Sequence, residues 1–144
     1  MNGVEATPAP TSTMARLKAE TADLHRDAET SQFQRALVSG AIGAEAYAAW
    51  LGQMMLIHEA LEAALRSSSD PAIGAVNRTE YDRAADLRAD VLDAGGAADQ
   101  VEALGATAAL VSRIHDAQPL ELLGMRYVLE GSNNGNLFIA RAIR

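Results

Sequence analysis

Between Ala44 and Arg66, Tyr47, Leu51, Met54, His58, Leu61 and Leu65 recur at alternating steps of four and three residues. That period follows one face of an α-helix and no face of a strand, whose side chains alternate every second residue. The stripe runs for about five helical turns. A helix with one long apolar face must bury it against another layer. The chain is therefore required to build further elements around this one, and the first question is what they are.

The flanking sequence predicts more helices. Met14, Leu17, Thr21, Leu24 and Ala28 form a second stripe in a helix expected from about Met14 to Gln32, which Thr13 is placed to cap. Val38-Ser39-Gly40 breaks the pattern before Ala44, and Ser67-Ser68-Ser69-Asp70-Pro71 ends the central helix. After a loop, Thr79-Glu80-Tyr81-Asp82 reads as a capping-box variant that opens a third helix, ending at Gly95-Gly96. A fourth is expected from about Asp99 to Asp116, with Val101, Leu104, Ala108, Val111 and Ile114 on its inner side. Pro119 suits the first turn of a fifth, which runs from Leu120 toward the C-terminus. No segment shows strand alternation. The fold class is all-α, a packed helical bundle, with residues 1–13 as a flexible tail and 14–144 as one domain.

Composition narrows the chemistry. The 144 residues contain no cysteine, so disulfides, thiolate catalysis, iron–sulfur ligation and covalent haem attachment are excluded. A formal net charge of −7 gives no basic footprint for nucleic acid. No apolar run approaches the roughly 20 residues of a membrane-spanning helix, and the N-terminus lacks the pattern of a signal peptide. The expected location is the cytoplasm, away from membranes. An anionic ligand would need locally placed cations, and Lys18 is the single lysine.

Of the three histidines, His25 shares a helix face with Lys18, Thr21 and Ala28. Lys18 and His25 lie two turns apart, about 10.5 Å along the axis. That span suits a planar ligand that binds metal at its centre and carries carboxylates at its edge. On spacing alone a border histidine that simply hydrogen-bonds a neighbour is the commoner case. His58, inside the central stripe with Glu62 one turn on, reads as a buried neutral histidine with a polar partner. His115 closes the fourth helix, where the helix dipole favours a cation.

The run Glu130-Gly131-Ser132-Asn133-Asn134-Gly135-Asn136 is flanked on both sides by apolar residues at helical spacing. Two glycines and three asparagines in a helix cost roughly 3–4 kcal/mol relative to alanine. Gly131 and Gly135 are one turn apart and leave a strip of helix without side chains, against which a flat ligand could press. A turn at Asn134-Gly135 and a close helix–helix contact are equally good readings of the same spacing.

Taken together, two segments resemble a known family. Leu17-Lys18-Ala19-Glu20-Thr21-Ala22-Asp23-Leu24-His25-Arg26-Asp27-Ala28-Glu29 closely resembles the first helix of haem oxygenases. Tyr127-Val128-Leu129-Glu130-Gly131-Ser132-Asn133-Asn134-Gly135 resembles the distal-helix motif of bacterial members, including those that accompany bacteriophytochromes. Weaker likeness covers Tyr47 to Leu65 and Ser112 to His115.

The resemblance implies an all-α domain that clamps haem between a proximal and a distal helix. It implies oxidative opening of haem to biliverdin with release of CO and iron, using O2 and an electron-donor protein of ferredoxin or reductase type. A bacteriophytochrome is the biliverdin acceptor that the bacterial likeness suggests. His25 resembles the axial iron ligand, Lys18 the cation that meets a propionate, and Gly131 and Gly135 the glycines over the distal haem face. Thr21 and Glu29 belong to the matched proximal run and are expected to line the haem. Ser132 stands where some members carry an acidic residue, so water ordering would fall to it and to the nearby asparagines. Asn136 stands where a small residue commonly follows the second glycine. Family members continue past the distal helix, so the domain is expected to lack their C-terminal helices. A haem-binding or sensing module that does not turn haem over is the alternative function.

Overall fold

The computed structural model describes residues 12–142, with side chains through residue 131. It is all-α, with no strand among the described residues. The helices are α1 (Thr13–Glu29), α2 (Gln32–Val38), α3 (Ala44–Ser67), α4 (Pro71–Val76), α5 (Ala84–Asp93), α6 (Gly105–Asp116) and α7 (Pro119–Ala142).

Helix α3 is the axis of the molecule, packed against α5, α6 and α7. One part of the core joins Leu61 and Leu65 of α3 to Ile73, Ile114 and Leu122. The other joins Leu51 and Met55 to Val91 and Ala98. Leu51, His58, Leu61 and Leu65 of the predicted stripe are buried, His58 at 3% exposed, while Tyr47 and Met54 are half-buried and Met55 takes the core position beside Met54.

Several local expectations are corrected. The helix predicted over 14–32 divides in two. Its N-cap is Ser12, whose hydroxyl accepts from the Ala15 N–H at 3.1 Å, and Thr13 is the first helical residue. Ser31 starts α2 by accepting from the Gln34 N–H at 3.1 Å. Serine at that position competes with helix continuation through its own backbone bonds. The loop after α3 holds α4, where the Asp70 carboxylate caps Ala72 at 2.8 Å and Pro71 fills the first turn.

The capping box predicted at Thr79 is a single 3-10 turn over Thr79–Tyr81, and α5 begins only at Ala84. Its cap comes from another helix. Glu62 Oε1 on α3 accepts the N–H groups of Arg83 at 2.7 Å and Ala84 at 3.0 Å.

The helix predicted from Asp99 is a 3-10 turn over Ala98–Gln100, an extended stretch, and then α6 from Gly105. Leu104 is exposed rather than inward. The amide of Gln53 holds the extended backbone, donating to the Glu102 carbonyl at 3.0 Å and accepting from the Leu104 N–H at 2.9 Å. Gly52 makes room for it, since a Cβ there would lie 2.9 Å from Val101 Cγ1. The tail expected over 1–13 lies, up to residue 11, outside the described residues.

Candidate functional site

Helix α1 carries the predicted ligand face, and it buries none of its residues. Met14, Leu17 and Leu24, the apolar stripe expected to pack, are all exposed, Leu24 at 72%. The helix touches its neighbours chiefly through α2. It is held by its own side chains instead. Arg16 pairs with Glu20 at 3.4 Å, Arg26 pairs with Asp23, and His25 pairs with Glu29. Such i,i+3 and i,i+4 pairs add about 0.2–0.5 kcal/mol each.

His25 Nδ1 lies 3.3 Å from Glu29 Oε2, with both side chains well exposed. A proton on Nδ1 directed at that carboxylate leaves the lone pair on Nε2, the arrangement in which an imidazole can ligate iron. Thr21 is less free than its position suggested, because its hydroxyl donates to the Leu17 carbonyl at 2.8 Å. Lys18 is exposed and forms no ion pair among the described residues.

The glycine motif lies on α7, whose helix runs through it. Among the described residues, positive φ occurs only at Gly40 and Gly95. The turn read at Asn134-Gly135 is not formed, because the helix continues through both residues, and Gly131 is helical as well. The packing reading finds no support at Gly131, since a Cβ built there would meet no atom of the described residues within 4 Å. What remains is an open face. Leu120, Gly124, Tyr127, Val128 and Gly131 follow one another at helical spacing and are all exposed. Helix α7 packs on α2, as α1 does. Ser132 and Gly135 fall on α7, but only its backbone is described beyond residue 131, so their roles lie outside the described residues.

The opposite side of α7 meets a buried ionic hub that sequence reasoning reached only at His58 and Glu62. Arg126, 6% exposed, donates to the Tyr81 carbonyl at 3.0 Å, to Asn77 Oδ1 at 3.3 Å and to Asp82 Oδ1 at 2.5 Å. The second oxygen of Asp82 accepts from Arg66 at 3.1 Å. The signal for Arg126 was present, since it sits four residues after Leu122 and three before Leu129 on the apolar stripe of α7.

Burial pushes the His58 imidazole below its ordinary pKa, against the pull of Glu62 at 3.5 Å, so it is neutral at physiological pH. His58 Nδ1, Arg126 Nε and Glu130 Oε1 are buried with no hydrogen-bond partner among the described residues.

Two open hollows, of about 430 and 410 Å³, lie away from α1. One runs between Ser67, His115 and Leu122, and the other is the charged cleft of Glu59, Glu62, Arg66 and Arg88. Neither includes a predicted ligand residue. No helix among the described residues is long and apolar enough to cross a membrane.

A family model described as Heme oxygenase matches residues 11–143, nearly the whole chain. No curated protein and no solved structure matches it significantly.

Proposed function

This chain belongs to the haem oxygenase family, and from that premise we propose that it binds haem between α1 and α7 and opens it to biliverdin, releasing CO and iron. The observation that carries the reading is the face of α7 at Gly131, which among the described residues neither a turn nor a neighbouring helix occupies. Its residues fit a flat apolar ligand. A backbone strip without side chains lets a porphyrin plane approach closely, and Tyr127 and Val128 extend the apolar surface.

When bound, haem supplies the iron at which O2 is reduced and the ring that is cut. The protein's part is holding and orienting. His25 would offer Nε2 to the iron, with Glu29 fixing the ring and its tautomer through Nδ1. Lys18, two turns upstream, would meet a propionate. An exposed pair of that kind contributes only about 0–1 kcal/mol, so its effect is on orientation more than on affinity. Thr21, with its hydroxyl already bonded to Leu17, offers van der Waals surface between them. Gly131 and Gly135 would admit the distal face of the ring, and Ser132 would hold water beside it. Electrons come from a ferredoxin- or reductase-type protein, O2 is the co-substrate, and a bacteriophytochrome is the proposed acceptor of biliverdin. The setting proposed for this chemistry is the cytoplasm.

The test is the visible spectrum of the haem-loaded protein given an electron donor in air. Loss of the haem bands, appearance of biliverdin absorption and evolution of CO are expected. A protein that binds haem and keeps it intact through many equivalents of reductant is a binding module, and the oxygenase reading is then wrong.

A further inference from the structure

We propose that Arg126 is a positioning residue, which sets the rotation of α7 and thereby turns the strip of Gly124, Tyr127, Val128 and Gly131 outward. The significance given to that strip rests on the haem reading above, while the positioning itself does not.

The core contacts of α7 are made by Leu122, Leu123, Met125 and Leu129. Apolar burial is non-directional and tolerates small rotations of a helix about its axis. Arg126 adds direction. Its planar guanidinium meets three acceptors in the segment that follows α4, namely Asn77 Oδ1, the Tyr81 carbonyl and Asp82 Oδ1. A rigid fork on several acceptors fixes orientation in a way that a lysine ammonium does not.

One of the acceptors, Asp82, is itself held from α3, as are the two residues that follow it. Arg66 takes the second oxygen of Asp82 at 3.1 Å, and Glu62 takes the N–H groups of Arg83 and Ala84. A continuous set of polar bonds therefore runs from α3 through residues 77–84 to α7. Gly131 lies five residues beyond Arg126, about 7.5 Å along the axis and about 140° around it. Buried Arg126 and open Gly131 thus report opposite faces of one helix. A rotation of about 25° moves the helix surface, about 5 Å from its axis, by about 2 Å. A displacement of about 1 Å at a reacting centre can already lower turnover on the order of a hundredfold.

The absence of cysteine makes the test clean. Spin labels on cysteines introduced at exposed Ala63 of α3 and exposed Tyr127 of α7 report the setting of the helix without haem. The label distances are compared in the Arg126 parent, Arg126→Lys, Arg126→Met and Asp82→Asn. Haem affinity and turnover are measured in the same substitutions without labels. Circular dichroism confirms retained helix, and Arg126→Lys keeps the charge should Arg126→Met fail to fold.

The expected result is one narrow distance distribution in the parent. It should shift or broaden in Arg126→Lys and Asp82→Asn, with turnover down on the order of tenfold to a hundredfold. Unchanged distances in folded variants that have merely lost thermal stability overturn the proposal. Failure of the parent to bind haem would count against the proposed function alone, and the label distances still decide the role of Arg126.

Discussion

Replacing His25 with alanine should weaken haem binding by at least a hundredfold, and free imidazole should restore much of the loss. The magnitude follows from a graded comparison. Removing a residue that only orients a metal ligand typically costs 10–100-fold, so removing the ligand itself sets a higher floor. Glu29 provides the intermediate case. Its carboxylate lies 3.3 Å from His25 Nδ1, and Glu29→Ala leaves the imidazole in place but free to rotate. That variant should bind haem on the order of tenfold more weakly than wild type. The folded state should be almost indifferent to His25→Ala, because the side chain is exposed and α1 buries nothing. A haem spectrum and affinity unchanged in His25→Ala would show that iron is held elsewhere, and the clamp would have no proximal side.

Gly131→Ala should act in opposite directions on the two states of the protein. Without haem, the added methyl meets no atom of the described residues within 4 Å and the position is helical. Alanine there should stabilise the apo-protein by up to about 1 kcal/mol, through helix propensity and a less flexible unfolded chain. With haem bound as proposed, the same methyl would occupy the space between backbone and ring. Turnover should fall on the order of tenfold or more, in line with the sensitivity of reacting geometry to small displacements. Chemical denaturation of the apo-protein and single-turnover kinetics of the haem complex check the two halves. A stabilised apo-protein with full activity would mean that nothing packs on this strip during catalysis.

The parts of the fold that were legible in the sequence are those set by local periodicity. The stripe of α3 needs only a step of four and three residues to be seen, and α7 follows the same rule, whereas the stripe of α1 marked a helix but not a buried face. Long-range bonds were not legible. Thr79 looks like a cap, yet α5 waits for Ala84 because Glu62, more than twenty residues earlier, satisfies its first N–H groups. Val101, Leu104 and Ala108 keep a helical spacing, but Gln53 draws residues 102–104 into an extended path.

At the site the balance differs. Both motifs stood out because they break expectations: a lone lysine two turns from a histidine, and glycines in a helix. Whether Gly131 served a turn, a contact or an open face depended on its neighbours, and only the structure supplies those. Arg126 is not legible as a buried contact in the sequence, because its three acceptors lie 44 to 49 residues away.

The central claim is that the uncovered faces of α1 and α7 are the two halves of one haem site, and amide hydrogen exchange tests it directly. In the apo-protein α1 has no buried residue, so its amides should exchange rapidly, while those of α3 around Met55 and Leu61 exchange slowly. With haem at about a hundred times its Kd, exchange in segments closed only by binding should slow by up to about a hundredfold. The account predicts that slowing over Leu17–Glu29 and over Tyr127–Gly131 together, at one equivalent of bound haem. Haem that binds while α1 continues to exchange as in the apo-protein, with protection confined to the charged cleft around Glu59 and Arg88, would contradict it.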